Sequence, residues 1–213
     1  MVSIKPVLVS GLRTFVRSAF TALTLRAAPR NIAWQQELFK KNSLQNSVGS
    51  LSIDLGSGLV PRNDFQCAQS VGLDIRSSPQ VTACDLSVDP IPCESNAASV
   101  ITAFDFLEHV PRVLANSHGG SRFPFLDLMN EIYRTLEPGG LFFSSTPCYP
   151  WPMAYSDPTH VNIMTEETLL NYFCKPRLWA QIYGFKGSFD LVDHGWIGGH
   201  YISLLRKTLV VNE

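Results

Sequence analysis

The chain has 213 residues, of which 45% are hydrophobic and 16% are charged, and its formal net charge is -1. This composition fits one packed domain with an additional arm and excludes global disorder. The near-neutral charge disfavours a nucleic-acid backbone as the main partner, and no apolar run reaches the ~20 residues that a membrane span requires.

Cysteine usage indicates a reducing environment. The five cysteines are an odd number and none of them forms a C-x-x-C pair; they are Cys67, Cys84, Cys93, Cys148 and Cys174. A disulfide framework or a structural zinc site is therefore not expected, and the pattern predicts reduced thiols and a cytoplasmic protein.

Residues 1–47 are predicted to form an N-terminal helical arm. No acidic residue occurs before Glu37, and apolar residues from Leu12 to Leu23 recur at helical spacing. We favour a helix that packs over the following domain. A helix lying on a membrane surface and an organelle transit peptide remain as alternatives, because basic amphipathic segments serve both purposes.

After Ser50 the pattern changes to short apolar strands separated by turns, which begins a domain predicted over residues 48–213. The expected strands are Leu51–Leu55, Ser70–Ile75, Val81–Asp85, Ser99–Ala103 and Leu141–Ser145. Strands that alternate with helices predict an α/β fold with a mostly parallel, doubly wound, Rossmann-like sheet.

Helices are expected at three places in this domain. One is entered near Phe106–Val110, and a second covers Phe125–Leu136 and stops at the turn Glu137–Gly140. A third begins at Thr165, which is a helix-capping residue type followed by two acids. Phe185–Val192 and His200–Arg206 are expected to complete the sheet as an antiparallel pair.

The first strand ends in Asp54-Leu55-Gly56-Ser57-Gly58. Glycines at such a turn let the backbone approach a ligand closely. The third glycine of the dinucleotide fingerprint is absent, because Pro61 stands in its place. A carboxylate at Asp54 would repel a pyrophosphate but attract the ammonium and sulfonium of S-adenosylmethionine, so the residues favour the methyl donor over NAD.

Two further acids follow the next two strands. Asp74 ends the second strand, where an acid can accept hydrogen bonds from both ribose hydroxyls, and Asp85 ends the third, where a side chain can accept from an adenine amino group. Each acid alone could be a turn or cap residue. Three acids at three successive strand ends predict a ligand crevice.

In order and spacing, four segments resemble the motifs of class I S-adenosylmethionine-dependent methyltransferases. The segments are LSIDLGSG, VGLDIR, ACDLSVDPIPCESNAASVITAFDFLEHV and LEPGGLFFSSTP. The resemblance is to the methyltransferase type 11 group, which is similar to quinone-biosynthesis enzymes, and within it to a bacterial subgroup associated with surface polysaccharide. It implies a seven-stranded sheet with one antiparallel strand.

The resemblance also implies a donor site. It assigns the methionine part to Asp54, Gly56 and Gly58, the ribose to Asp74 with Ile75, the adenine to Asp85 with Leu86, and the pocket lining to Ala103, Phe104 and Asp105. One departure concerns the segment between Gly58 and Val71. The family usually has a full helix there, whereas here the segment is short and contains Pro61, so a turn is expected.

The acceptor side is predicted from the loop after the fifth strand, YPWPMAYSDPTHVN over residues 149–162. Its aromatic side chains can stack on a saccharide or another small planar acceptor. His160, His109 and Asp157 are the candidate general bases. The alternative for the loop is a rigid surface segment braced by its prolines, in which His160 only makes a local hydrogen bond. The alternative for His109 is a helix residue that makes a local hydrogen bond.

No ligand spacing requires a metal, although Asp157, His160, Asp190, Asp193 and His194 are ligand types, and none is predicted. The predicted function is methyl transfer from S-adenosylmethionine to a small-molecule or saccharide acceptor. An NAD-dependent oxidoreductase and a non-catalytic nucleotide-binding module are the alternatives.

Overall fold

A computed structural model describes residues 27–116 and 119–209 of the chain. The predicted amphipathic segment Leu12–Leu23 lies outside the described residues.

In these described ranges, nine strands form two sheets. They are β1 (Leu51–Leu55), β2 (Gln69–Asp74), β3 (Val81–Ala83), β4 (Ala98–Phe104), β5 (Leu114–Ala115), β6 (Ser121–Arg122), β7 (Leu136–Pro147), β8 (Phe189–Ile197) and β9 (His200–Lys207). The large sheet has the order β3-β2-β1-β4-β7-β9-β8, and β5 and β6 form a separate antiparallel ribbon. Since β9 alone runs antiparallel to both of its neighbours, the predicted seven-stranded Rossmann-like sheet with one antiparallel strand is confirmed.

Both faces of the sheet are covered. β4 is buried along nearly its whole length, as expected for a central strand of a parallel sheet. Successive side chains of β7 point to opposite faces of the sheet. Phe142 belongs to a core that includes Ile53 and Ile101, and Phe143 belongs to a second core that includes Phe65. The domain is therefore a three-layer α/β structure.

Within the part of the chain that the structure describes, four α-helices and two 3-10 turns accompany the sheet. They are α1 (Ile32–Lys41), α2 (Pro124–Thr135), α3 (Met153–Ser156) and α4 (Glu166–Phe173), with 3-10 turns at Leu107–His109 and Trp179–Tyr183. Helix α2 carries Pro124 in its first turn, where the missing N–H costs nothing. The predicted start of α4 is confirmed, because Thr165 and Thr168 form a reciprocal capping box.

Two predicted elements differ from the structure. The expected helix near Phe106–Val110 is only a three-residue 3-10 turn, Leu107–His109. Pro111 follows one residue later and disfavours helical backbone at Val110. The turn Glu137–Gly140 does end α2, but it lies within β7 as an irregularity: Leu136 pairs with Ala98 and Leu141 pairs with Val100.

The expected loss of a helix between β1 and β2 agrees with the structure, in which residues 56–68 contain turns and bends and no helix.

The described part of the N-terminal arm covers the face of the sheet on which Phe65 and Phe143 lie. The ring of Phe39 on α1 lies 5.1 Å from that of Phe65 and 4.9 Å from that of Phe143. Residues 29–30 also pair with Trp196 of β8.

Among the described residues, no helix combines the length and the apolar character needed to cross a bilayer.

The aromatic core under α1 generates a stability prediction. Phe143 is fully buried and contacts the rings of Phe39, Phe65 and Phe104. We expect Phe143→Ala to lower the free energy of unfolding by about 3–5 kcal/mol, because it leaves a cavity among these rings. Urea denaturation followed by circular dichroism measures the change.

Val48→Ala, at a fully exposed position, is the control and should shift the free energy of unfolding by less than about 0.5 kcal/mol. A loss below 1 kcal/mol for Phe143→Ala would contradict the packing.

Candidate active site at the carboxyl edge of the sheet

The carboxyl ends of the parallel strands meet at one edge. Leu55, which ends β1, pairs with Ala103 near the end of β4, and Phe104 pairs with Ser145 of β7. In open α/β sheets this edge is where ligands bind. The turns that follow β1, β2, β3, β4 and β7 therefore lie around a common crevice.

The turn after β1 is shaped by two left-handed glycines, with φ of 65° at Gly56 and 66° at Gly58. Three hydrogen bonds join it to β2. The N–H groups of Gly56 and Ser57 donate to the Leu73 carbonyl at 2.8 and 3.2 Å, and the Gly58 N–H donates to Asp74 Oδ2 at 2.9 Å. A Cβ at Gly56 would meet the ring of Phe106 at 2.4 Å, whereas a Cβ at Gly58 would meet nothing closer than 3.9 Å. Gly58 thus presents an open backbone surface, and Gly56 is covered by Phe106.

Asp54 is 2% exposed and bonded within the scaffold. Its Oδ1 accepts from the Thr102 hydroxyl at 2.7 Å, and its Oδ2 accepts from the Arg62 N–H at 2.9 Å. Burial raises the pKa of this carboxyl, and the two hydrogen bonds oppose that effect. A direct contact between Asp54 and a bound ligand would require one of these bonds to be exchanged.

Asp74 lies in the crevice, half-buried at the end of β2. Burial acts to raise its pKa, but hydrogen bonds from Arg76 and from the Gly58 N–H outweigh burial, so the pKa lies below its usual value. Its carboxylate is therefore ionised and bridges the first two turns of the crevice. Ile75, the next residue, is 75% exposed.

The predicted adenine residues lie on the turn after β3. Asp85 is exposed, and its Oδ1 accepts from the Ser87 N–H at 3.0 Å. Leu86 is buried and belongs to the core beneath this turn.

At the end of β4, Ala103 is buried and Phe104 is half-buried. The Arg62 guanidinium lies 3.7 Å from the centre of the Phe104 ring, a close cation–π contact. Asp105 has a φ of 47° and its Oδ1 lies 2.7 Å from His200 Nε2. This hydrogen bond raises the pKa of His200 more than burial lowers it.

The three predicted catalytic residues come together beside Asp105. The rings of His109 and His160 are 4.9 Å apart in an edge-to-face arrangement. His109 Nδ1 lies 3.0 Å from Thr159 Oγ1, and the Thr159 hydroxyl donates to Asp157 Oδ1 at 2.6 Å. A hydrogen-bonded chain from Asp157 through Thr159 therefore orients His109.

Glu108 lies beneath the two histidines and is 1% exposed. Its carboxylate oxygens have no hydrogen-bond partner from any other described residue. Burial raises the pKa of Glu108 to about 8, with Asp105 and Asp157 adding to the effect and His200 opposing it. A buried carboxyl without partners is costly to retain for stability alone, which marks this position as a functional candidate.

The long loop is held on the turn after β4 by backbone bonds. The amides of Val161 and Asn162 both donate to the Glu108 carbonyl, at 3.0 and 2.9 Å. The Asn162 side chain donates to the Leu107 carbonyl at 3.0 Å and accepts from Arg112 Nε at 2.6 Å. These hydrogen bonds hold His160 next to Glu108 and His109.

The aromatic residues of the loop have different surroundings. Tyr149 and Tyr155 are 42% and 54% exposed. Trp151 instead packs against the core, so it is not a free stacking surface. A groove of about 580 Å³ begins beyond the loop. It is lined by Arg112, Ile163, Thr165, Phe123, Tyr172, Trp179 and Tyr183, among others.

The remaining metal-ligand types named from the sequence lie on β8 and have other contacts. Asp190 faces Lys175 at 3.9 Å, and His194 Nδ1 lies 2.6 Å from the Tyr201 hydroxyl. In the described ranges, the histidine, cysteine and carboxylate side chains that come close enough to share an ion are Glu108, His109 and His160.

Sequence reasoning missed three members of this cluster as site residues. Glu108 adjoins His109 in the FDFLEHV motif, and that adjacency was the available signal. Thr159 and His200 carry no such signal, because each acquires its role only when distant segments meet: Thr159 at His109, and His200 of β9 at Asp105.

Comparison of folds finds similar solved structures at low identity. The [4+2]-cyclase SpnF is 15% identical with a TM-score of 0.54, covering 83% of this chain and 80% of that one. An S-adenosylmethionine-dependent methyltransferase from Aquifex aeolicus is 11% identical with a TM-score of 0.50, covering 82% and 89%. The N-methyltransferase NodS from Bradyrhizobium japonicum, in complex with S-adenosylhomocysteine, is 11% identical with a TM-score of 0.49, covering 83% and 88%. Such identities show the fold alone.

Comparison with curated proteins found no significant match. The family model described as "Methyltransferase domain" matches residues 24–176, which is most of the chain and includes every turn of the crevice. The chain therefore belongs to the methyltransferase domain family, as a class I enzyme that uses S-adenosylmethionine.

Proposed function

We propose that the crevice holds S-adenosylmethionine against the turns after β1, β2 and β3, and that the cluster after β4 and β7 receives a hydroxyl-bearing acceptor. One observation carries this proposal. The open glycine turn and the histidine cluster lie at the same sheet edge, on the two sides of the end of β4.

The residues at the donor side suit the molecule. The Gly58 backbone is open, so the methionine part can approach it closely. The Asp74 carboxylate is ionised, lies next to Gly58 and is the natural acceptor for ribose hydroxyls. Asp85 is exposed for the adenine amino group, above the apolar Leu86. Asp54 contributes through the scaffold, by holding Arg62 and Thr102.

The donor supplies a methyl group on a sulfonium, which is already a good leaving group. The chain must hold the acceptor oxygen in line with that methyl group and receive its proton. Asp157 and Thr159 fix the His109 ring, and the Ala154 carbonyl lies 3.3 Å from His160 Nδ1. Because a carbonyl only accepts, His160 bears its proton on Nδ1 and keeps the Nε2 lone pair for the acceptor.

The loop and the groove favour a small acceptor with ring faces, such as a saccharide. Tyr149 and Tyr155 expose aromatic surface beside the cluster, and such surface stacks on sugar or planar rings at low entropic cost. The aromatic groove beyond Arg112 has room for the remainder of a larger acceptor. A nucleic acid is not proposed, given the net charge of -1.

We also place the enzyme in a reducing compartment such as the cytoplasm. All five cysteines are free thiols, and four of them are buried. An NAD-dependent oxidoreductase is disfavoured by the family match and by the missing third glycine at Pro61.

The donor assignment predicts that the protein binds S-adenosylhomocysteine and not NAD. We expect Asp74→Ala to weaken this binding by about 1.5–3 kcal/mol, since it removes an ionised hydrogen-bond acceptor. Isothermal titration calorimetry measures both ligands. Asp127→Ala, which also removes an aspartate of a surface ion pair, is the matched control and should bind as the wild type does. Equal affinity for the Asp74 variant would remove this residue from the donor site.

The acceptor assignment predicts that His160→Ala keeps its affinity for S-adenosylhomocysteine and loses turnover by roughly 10²–10⁴-fold, because the acceptor proton is no longer received. Turnover is measured with methyl-labelled donor and an acceptor found by screening sugars and small hydroxyl compounds. His194→Gln, a histidine on β8 outside the cluster, is the control.

The outcome separates two roles for His160. A residue that only braces the loop would lower the melting temperature and leave turnover per folded molecule unchanged. That result would exclude His160 from the mechanism and leave His109 and Asp157 as candidates.

A further inference from the structure

We propose that Glu108, His109 and His160 form a binding site for one divalent transition-metal ion of the zinc or manganese type. Their ligand-capable atoms all lie within 4.8 Å of one another, although His160 comes from a segment distant in sequence. The proposal takes its catalytic meaning from the proposed function, but the binding itself is measurable without any acceptor.

The orientation of both rings supports metal ligation. His109 Nδ1 faces the carbonyl and hydroxyl oxygens of Thr159, and His160 Nδ1 faces the Ala154 carbonyl. Each ring therefore donates from Nδ1 and keeps its lone pair on Nε2. Histidines that ligate metals are held in this way, with the second nitrogen donating to a backbone carbonyl or a polar group.

Glu108 supplies an independent observation. It is 1% exposed, and neither carboxylate oxygen is bonded by another described residue, while its backbone carbonyl is held firmly by Val161 and Asn162. A cation is the partner that would compensate such a buried carboxyl, since no Lys or Arg contacts it among the described hydrogen bonds and ion pairs.

The donor set selects the class of ion. Two imidazoles with one carboxylate suit zinc, manganese and related transition metals, whereas magnesium prefers oxygen ligands alone. Zinc bound at about 2.0–2.2 Å requires ligand atoms that stand roughly 3.4 Å apart, and the three atoms of this cluster all lie within 4.8 Å of one another.

Three protein ligands leave at least one position of the ion open, as in catalytic zinc sites. An acceptor hydroxyl in that position would lose its proton more readily, because a bound divalent ion stabilises the alkoxide. With an ion bound, the Nε2 lone pair of His160 holds the metal and no longer receives the proton. The proton would then pass to Asp157, the exposed carboxylate of the cluster. The alkoxide oxygen forms the new bond to the methyl carbon as the carbon–sulfur bond of the donor breaks, which releases S-adenosylhomocysteine.

The test uses untagged full-length protein that has been dialysed against a chelator. Co²⁺ is added as a spectroscopic probe, and its visible d–d absorption reports nitrogen and oxygen ligation; Zn²⁺, Mn²⁺ and Mg²⁺ then compete for the site. We expect one Co²⁺ per chain, displaced by Zn²⁺ and not by Mg²⁺. Glu108→Gln and His160→Ala should each weaken binding by at least about 100-fold, whereas His194→Gln should leave it unchanged.

Circular dichroism and S-adenosylhomocysteine titration on the same samples keep the outcomes distinct. Glu108→Gln preserves shape and replaces the carboxyl that can ionise on the metal with a neutral amide, so a folded Gln variant that binds Co²⁺ as tightly as the wild type overturns the site. So does a wild-type protein that binds S-adenosylhomocysteine but no Co²⁺, and in that case the proposed methyl transfer stands. Co²⁺ bound without any S-adenosylhomocysteine binding would instead refute the proposed donor site and retain the metal site.

Discussion

The arrangement of the site depends on the parallel pairing of β4 with a strand on each side. Hydrogen bonds to β1 and β7 hold the three strands in register, so the turn that begins at Asp105 must emerge between the glycine turn and the long loop. β4 is buried, and its register cannot slip by one residue without moving its apolar side chains between the two cores. The relative positions of the glycine turn and the histidine cluster are therefore set by the core.

The turn after β4 contains two features that lower the stability of the fold. The backbone of Asp105 is left-handed, a conformation that residues other than glycine rarely adopt. Glu108 is buried, and no other described residue bonds to its carboxylate. The surrounding backbone offsets this cost, because the amides of Val161 and Asn162 converge on the Glu108 carbonyl. This turn thus combines a left-handed residue with a buried, unbonded carboxylate, and the segment that contains Val161 and Asn162 holds it in place.

Much of the scaffold was predictable from sequence, and the reasons are local. β1 matched its predicted bounds because an apolar run ends at two glycines, and Thr165 marked the start of α4 through its own capping chemistry. The helix expected near Phe106–Val110 did not form because only five residues separate the left-handed Asp105 from Pro111. The predicted catalytic residues did converge. The hydrogen bond between Asp105 and His200, however, joins residues 95 positions apart, and no local pattern encodes it.

Replacement of the usual helix after β1 changes what Asp54 does. Where a helix would present its first N–H groups to a ligand, this chain places the single Arg62 amide on the Asp54 carboxylate and lays the Arg62 guanidinium on Phe104. The acid at the start of the glycine turn thereby becomes a brace between β1, β4 and the connecting segment. The ionised carboxylate of the crevice is then Asp74, which also holds the Gly58 N–H. A ligand that bonded to Asp74 would consequently be coupled to the shape of the glycine turn through one side chain.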